Sequence, residues 1–391
     1  MRAIICGAGI AGLAAANLLA AHGCDVIVVE RTPSPRTQGY MLDFFGPGYD
    51  AIEAMGLLPA LQDVGYRVVE AALVDNHGRH RARMNLRQFA DGALVSVMRP
   101  DLERVLRENL PAGVDLRYDA ALESVTPLDD GVRVELADGS VLTADLLIGA
   151  DGIHSTVRRL VFGPESSYLR RLGFHTAAYT FDAPDIHAAV NGRFVLTDTI
   201  GSQFGFYGLR DGRVASFAVH RTTDPSLPDD PRAAIRSAYR ELGWVVPEAL
   251  ERCPSPEEIY YDQVAQIVLP TWSKGRVVLL GDAAYAVSLL AGQGASLGIA
   301  GAYVLADRLT QAASIDAALS EYERLWRPEV ESKQRVGRSA AHWFLPRSTP
   351  ALIARRLALH LLRLPLLNRL TPTAIAGKPT TLIQTLHPSH P

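Results

Sequence analysis

The chain has almost no lysine: none occurs before Lys274, and the basic side chains ahead of it are arginines. The bias reads as genome composition. Cysteine is also scarce. Cys6, Cys24 and Cys253 stand far apart and form no CxxC pair, which argues against a dithiol redox centre or a thiolate metal site. No metal is expected. Low cysteine use fits a reducing cytoplasm, the expected location. Neither sign of charge dominates, with 39 basic and 42 acidic side chains and a net charge of -3. That balance gives no electrostatic reason to expect nucleic acid or an anionic membrane as partner. A long unbroken apolar run is missing as well. The most apolar late stretch, 351–370, contains Arg355, Arg356, Arg363, Arg369 and Pro365, whereas a membrane span needs about 20 apolar residues with few charges. It reads as an amphipathic packing helix with a break. The first residues run straight from a short apolar segment into glycines, unlike a signal peptide.

What is present begins at once. Residues 3–6 read as a buried strand, and Gly7-Ala8-Gly9-Ile10-Ala11-Gly12 follows. An Ala/Leu-rich helix over 13–22 ends at Gly23, and 25–30 is a second strand closing on Glu30. Gly7 permits a tight turn, Gly9 lets backbone approach a pyrophosphate, and Gly12 lets helix and strand pack closely. The helix start offers unpaired N–H groups to phosphates. Glu30 stands where a carboxylate accepts ribose hydroxyls. The order of strand, glycines, helix, strand and acid predicts a bound dinucleotide, without separating NAD from FAD.

Two later segments bear on that choice. Residues 145–158 read as a strand running into a helix, with Asp151-Gly152 at the junction, Asp151 and Ser155 free to cap, and Arg158 on the first turns. Residues 275–285 are a buried strand ending in Gly281-Asp282. A turn with Gly292 and Gly294 then opens a helix continuing to about Leu309.

Together these three segments resemble the class A flavoprotein monooxygenases, the family of para-hydroxybenzoate hydroxylase and the tetracycline-degrading monooxygenases. The resemblance runs from Met1 to about Arg335. It implies that Gly7, Gly9, Ala11 and Gly12 hold the FAD pyrophosphate, Glu30 the adenosine ribose, and that Arg31 lies near the adenine. Arg99 matches an arginine that contacts FAD, and Asp282 the aspartate on the ribityl chain. Asp151 and Gly152 match a site shared by FAD and NADPH. Gly292, Gly294, Ala295 and Ser296 would face the flavin, where helix N–H groups stabilise charge on the reduced ring. The segment Gly39-Tyr40-Met41-Leu42-Asp43 looks most like the tetracycline-modifying branch. There Asp43 would contact FAD and Arg36 would help the nicotinamide cofactor. The chain departs from many relatives at Tyr285, at Ser288-Leu289 in place of Pro-Pro, and at Ser296 in place of Asn. Losing the prolines is expected to loosen the flavin-facing loop, and losing the Asn amide at Ser296 to weaken a cofactor contact.

Between 166 and 266 the pattern turns strand-like, over 174–181, 192–196, 203–209 and 213–220, with a hairpin signal at Arg210-Asp211-Gly212. A helix over 231–242 follows, and 73–98 adds two strands. The expected fold is α/β. A discontinuous Rossmann-like FAD-binding domain (1–72, 97–165, 267–345) carries an inserted β-sheet substrate domain (73–96, 166–266). A helix over 317–338 bridges both, and 346–391 is a C-terminal helical segment. Phe204, Phe206 and His220 are the candidates for lining the substrate pocket. The competing reading packs the phenylalanines against the helix beneath the sheet and leaves His220 a satisfied strand residue. No catalytic side chain is assigned.

The resemblance implies an enzyme of this kind: NADPH or NADH reduces FAD, O2 reacts, and a flavin C4a-hydroperoxide gives one oxygen atom to an aromatic or polycyclic small molecule. No second GxGxxG occurs, so the nicotinamide cofactor is expected to bind transiently, in a monomer or homodimer. A flavin-dependent halogenase is a competitor, but needs an active-site lysine and a WxWxIP run that this chain lacks. An NAD-dependent dehydrogenase leaves Asp151 and Asp282 without purpose. A non-oxygenating FAD-binding or ligand-sequestering relative stays open as the alternative.

Overall fold

A computed structural model describes residues 1–86, 93–361 and 380–386. The chain folds around two large sheets. The first has six strands in the order Ser273–Lys274, Val277–Leu279, Leu146–Gly149, Arg2–Cys6, Asp25–Val29 and Asp115–Arg117. All neighbours are parallel except the first pair. Its central strands are apolar on both faces because both faces are covered, as buried parallel strands require. Helix Ile10–Ala21 lies on it and ends at His22–Gly23, where Gly23 takes φ +78°.

The second sheet has eight strands. Tyr260–Ile267, Leu169–Ala178, Arg213–Arg221, Ser202–Gly208, Arg193–Thr199, Glu70–Val74 and His80–Asn85 lie side by side, and Thr180–Asp182 adds to Arg213–Arg221. It is antiparallel except between Arg193–Thr199 and Glu70–Val74. Helices Pro184–Val190, Pro231–Tyr239 and Val246–Glu251 supply the apolar layer on one face.

Two features differ from the sequence reading and a third follows it in part. Strand Leu94–Met98 leaves the large sheet and pairs with Met41–Phe45, where Ser96 stands opposite Asp43. A three-stranded meander, Leu122–Leu128, Gly131–Leu136 and Val141–Ala144, was not foreseen. The late apolar stretch is helical over Thr349–Leu361, while 362–370, with Pro365, lies outside the described residues.

The long helix Ile315–Phe344 spans both halves. Its early residues Leu319, Tyr322 and Trp326 join the core of the six-stranded half. Its end, through Ala341 and Phe344, packs with Phe174, Val219 and Val264 of the large sheet. Arg355 and Arg356 of the following helix clamp the buried Asp198 at 2.9 and 2.7 Å. Among the described residues no helix is long and apolar enough to cross a membrane.

Candidate active site

The three motifs, distant in sequence, converge at the C-terminal edge of the six-stranded sheet. Gly12 packs so tightly on the turn that a Cβ there would lie 1.9 Å from the Gly7 carbonyl oxygen. Gly281, with φ +63°, stands against Ala11: a Cβ on it would come within 2.8 Å of the Ala11 methyl. Ala11 therefore sits where the first helix meets the third motif, a packing position. Arg158, with its side chain fully buried, stitches the second motif to the third. Its Nη1 donates to the Ala283 carbonyl at 2.9 Å, and its Nη2 reaches the Ile153 carbonyl and Glu165.

Glu30 curls back onto the glycine turn. Its carboxylate accepts from the Ala8 N–H at 2.9 Å and the Thr32 N–H at 3.0 Å. Arg31 and Arg36 are exposed beside it. Asp151 caps helix Thr156–Val161, accepting from the N–H groups of Thr156 and Val157 and from the Ser155 hydroxyl. Gly152 follows in the left-handed region with open space around it. Burial raises the Asp151 carboxyl pKa against these hydrogen bonds.

Asp282 opens helix Asp282–Tyr285 and is exposed, although the next three residues are buried. It points into the seam between the halves. Although its surface opens on the seam, the protein packed around it displaces water and raises its carboxyl pKa, Arg99 opposes that, and Asp262 adds to it. A Cβ on Gly294 would lie 3.8 Å from its Oδ1, so Asp282 meets the start of helix Gly294–Gln311. That helix has no side-chain cap at Gln293, and Gly292 before it takes φ +64°. Two uncapped helix starts, at Gly9 and Gln293, thus leave backbone N–H groups for a ligand. Such a donor set, with Asp282 and Glu30 for hydroxyls, fits a flavin dinucleotide.

Opposite Asp282, the large sheet and the segment after Asp25–Val29 bring up aromatic rings. Tyr40 lies 6.1 Å from Phe217 and 5.1 Å from Tyr260, all three half-buried. Asp43 accepts from the Ser96 hydroxyl at 2.6 Å and approaches the Tyr207 hydroxyl at 3.5 Å. Burial raises its carboxyl pKa.

Three expectations need correction. Phe204 and Phe206 are 0% exposed and pack with Tyr179, Ile235 and Tyr239 under the helices of the far face. His220 joins them, its Nδ1 3.0 Å from the Tyr239 hydroxyl. Strand side chains alternate, so the face turned to the seam carries Tyr207, Ala215, Phe217 and Val219 instead. Ser296 uses its hydroxyl within the protein, donating to the Phe45 carbonyl at 2.7 Å and accepting from the Gly48 N–H at 2.9 Å. The side chain is a tie between elements. The Ser288-Leu289 loop is not left loose: Leu289 and Leu290 pack against the Phe174–Val219 cluster. Ser288 itself holds φ +73° and ψ 155°, with a buried hydroxyl that finds no partner among the described residues. Tyr285 is buried, 3.3 Å from the Tyr322 hydroxyl. Sequence reading also missed His154, whose ring lies 3.1 Å from Glu165 and 3.4 Å from Asp262 of the large sheet; Asp262 stands 108 positions along the chain, too far to be read from spacing.

Residues 1–331 match the FAD binding domain family. An uncharacterised protein of Mycobacterium tuberculosis is 36% identical over 321 residues, covering 79% of this chain and 85% of the relative. A flavin-dependent monooxygenase of Legionella longbeachae is 29% identical over 354 residues, 88% and 90% of the two chains. The crystal structure of tetracycline destructase Tet(51) superposes with a TM-score of 0.81 at 26% identity, covering 97% of this chain and 98% of the other. Klebsiella pneumoniae HpxO, solved with FAD and uric acid, shares the fold at a TM-score of 0.81 and 23% identity, covering 96% and 97%. The chain belongs to the FAD binding domain family and is a flavin-dependent monooxygenase with FAD as its cofactor.

Proposed function

We propose that the protein uses NADPH or NADH and O2 to place one oxygen atom on an aromatic or polycyclic small molecule held in the seam. The observation that carries this reading is the pairing of Asp282 and Arg99 with the aromatic wall of Tyr40, Phe217 and Tyr260. Bound FAD supplies the redox and oxygen chemistry. The residues supply the rest. Gly7, Gly9, Gly12, Glu30, Arg31, Arg99, Asp151, Gly152, Asp282, Gly292, Gly294 and the Ala295 backbone hold the cofactor, with Asp43 and Arg36 beside it. The start of helix Gly294–Gln311 favours negative charge at its end. The eight-stranded sheet, built from Glu70–Val74, His80–Asn85 and the strands between Leu169 and Ile267, acts as the substrate unit, and its seam-facing rings exclude water and orient a flat ligand.

Purified protein should be yellow. It should oxidise NAD(P)H faster with an accepted aromatic than without one. Labelled O2 should raise the product mass by one oxygen atom. NAD(P)H oxidation that no ligand stimulates, with ligand recovered unchanged, would support a sequestering protein instead.

A further inference from the structure

Glu103 lies on the second turn of helix Arg99–Glu108 and is 5% exposed. Its Oε1 stands 2.7 Å from Arg99 Nη2, yet makes no hydrogen bond of good geometry. The same oxygen lies 3.8 Å from where a Cβ on Gly9 would be. Gly9 heads the 12-residue helix Ile10–Ala21, whose first turn has neither a side-chain cap nor an acidic residue. A buried carboxylate is thus aimed at the loop where two phosphate groups have to approach. Like charges in a protein interior repel far more strongly than in water, so an ionised Glu103 opposes what the helix start attracts.

We propose that Glu103 is a positioning residue for the pyrophosphate of FAD: it holds the Arg99 guanidinium beside the glycine loop and takes up one proton as the pyrophosphate seats. The proton comes from solvent and ends on a carboxylate oxygen. Arg99, released from its ion pair, turns its charge to the phosphates. This rests on reading the glycine loop as the FAD site.

The surroundings support the assignment. Burial raises the Glu103 carboxyl pKa, with Glu30 adding, while Arg99, Arg36 and Arg107 pull it down. Tyr40 and Tyr118 face the same carboxyl, and burial raises both phenols, so neither ionises near neutral pH. The packed helix Ile10–Ala21 presents the neutral Asn17, whose amide is spent on the Leu13 and Leu106 carbonyls. Glu30 is the other carboxylate in range. A group that gains a proton on binding makes affinity highest below its pKa in the free protein, and affinity falls as pH rises from there through the higher pKa it has in the complex.

The test is FAD titration of flavin-stripped protein, followed by fluorescence quenching at pH 6, 7 and 8. For the wild type, Kd is expected to rise about tenfold over this range. Glu103→Gln, which keeps shape and polarity without the charge, should bind with a flatter profile and more tightly at pH 8. Calorimetry of the wild type in two buffers of different ionisation enthalpy should show net proton uptake, and it reads the proposal even if the variant misfolds. Parallel pH profiles for the two proteins, or no proton uptake by the wild type between pH 6 and 8, overturn the role of Glu103 while leaving the FAD site intact. Failure to bind FAD at any pH removes the site itself and the proposal with it.

Discussion

The two faces of the large sheet are made from alternate residues of the same strands, and they are filled differently. On the helix-covered face Phe204, Phe206, Tyr179 and Tyr239 form a closed aromatic stack, with Phe204 and Phe206 rings 5.0 Å apart. On the seam face Phe217 and Tyr207 meet side chains of the other half, and Phe217 stays half-buried. A residue's distance from the chemistry is therefore set by strand parity more than by its kind. The closed face supports the fold; the open one is turned to the seam.

The sharpest way to break this contrast is Phe204→Ala. A filled aromatic site that cannot collapse should lose about 3–5 kcal/mol of stability, seen as a lower denaturant midpoint, with the range of accepted substrates unchanged. A stable variant with altered substrates would exchange the two faces. His220 tests the same layer by pH. Burial holds its imidazole down at about 4, with His175 adding. Its folded value lies below the unfolded value, so the stability it contributes is present above about pH 6.5 and is lost as pH falls toward 4. Urea unfolding at pH 5 should show a cost of about 2 kcal/mol relative to pH 7, and His220→Gln should remove most of that slope. The smallest stability effect belongs to the open face. Phe217→Ala should cost no more than about 1.5 kcal/mol, while raising KM for an accepted aromatic about tenfold, roughly 1.4 kcal/mol of binding. Equal stability losses for Phe204→Ala and Phe217→Ala would erase the distinction.

The cofactor half was legible because its signals are local. The spacing from Gly7 to Glu30, and the strand ends at Asp151 and Asp282, report backbone constraints that few other arrangements satisfy. The substrate half was less so. Alternation reveals that a strand has two faces, but which face meets the seam depends on where helices such as Pro231–Tyr239 dock. That is why Phe204, Phe206 and His220 remained candidates beside the plainer core reading. Glu103 carried no signal, since an acidic residue on a helix reads as a solvated one. Ser296 misled for a related reason. Its motif position suggested a ligand, whereas its actual partners, Phe45 and Gly48, lie some 250 positions earlier in the chain.

Ser288 has a mechanical consequence. Backbone angles comfortable for glycine store roughly 1–3 kcal/mol in other residues, and here a serine holds them with its hydroxyl unsatisfied. Leu289 and Leu290, gripping the sheet beside Phe174 and Val219, keep that spring compressed. The loop is thus held in place by its packing on the sheet, at the expense of a strained backbone turn next to it.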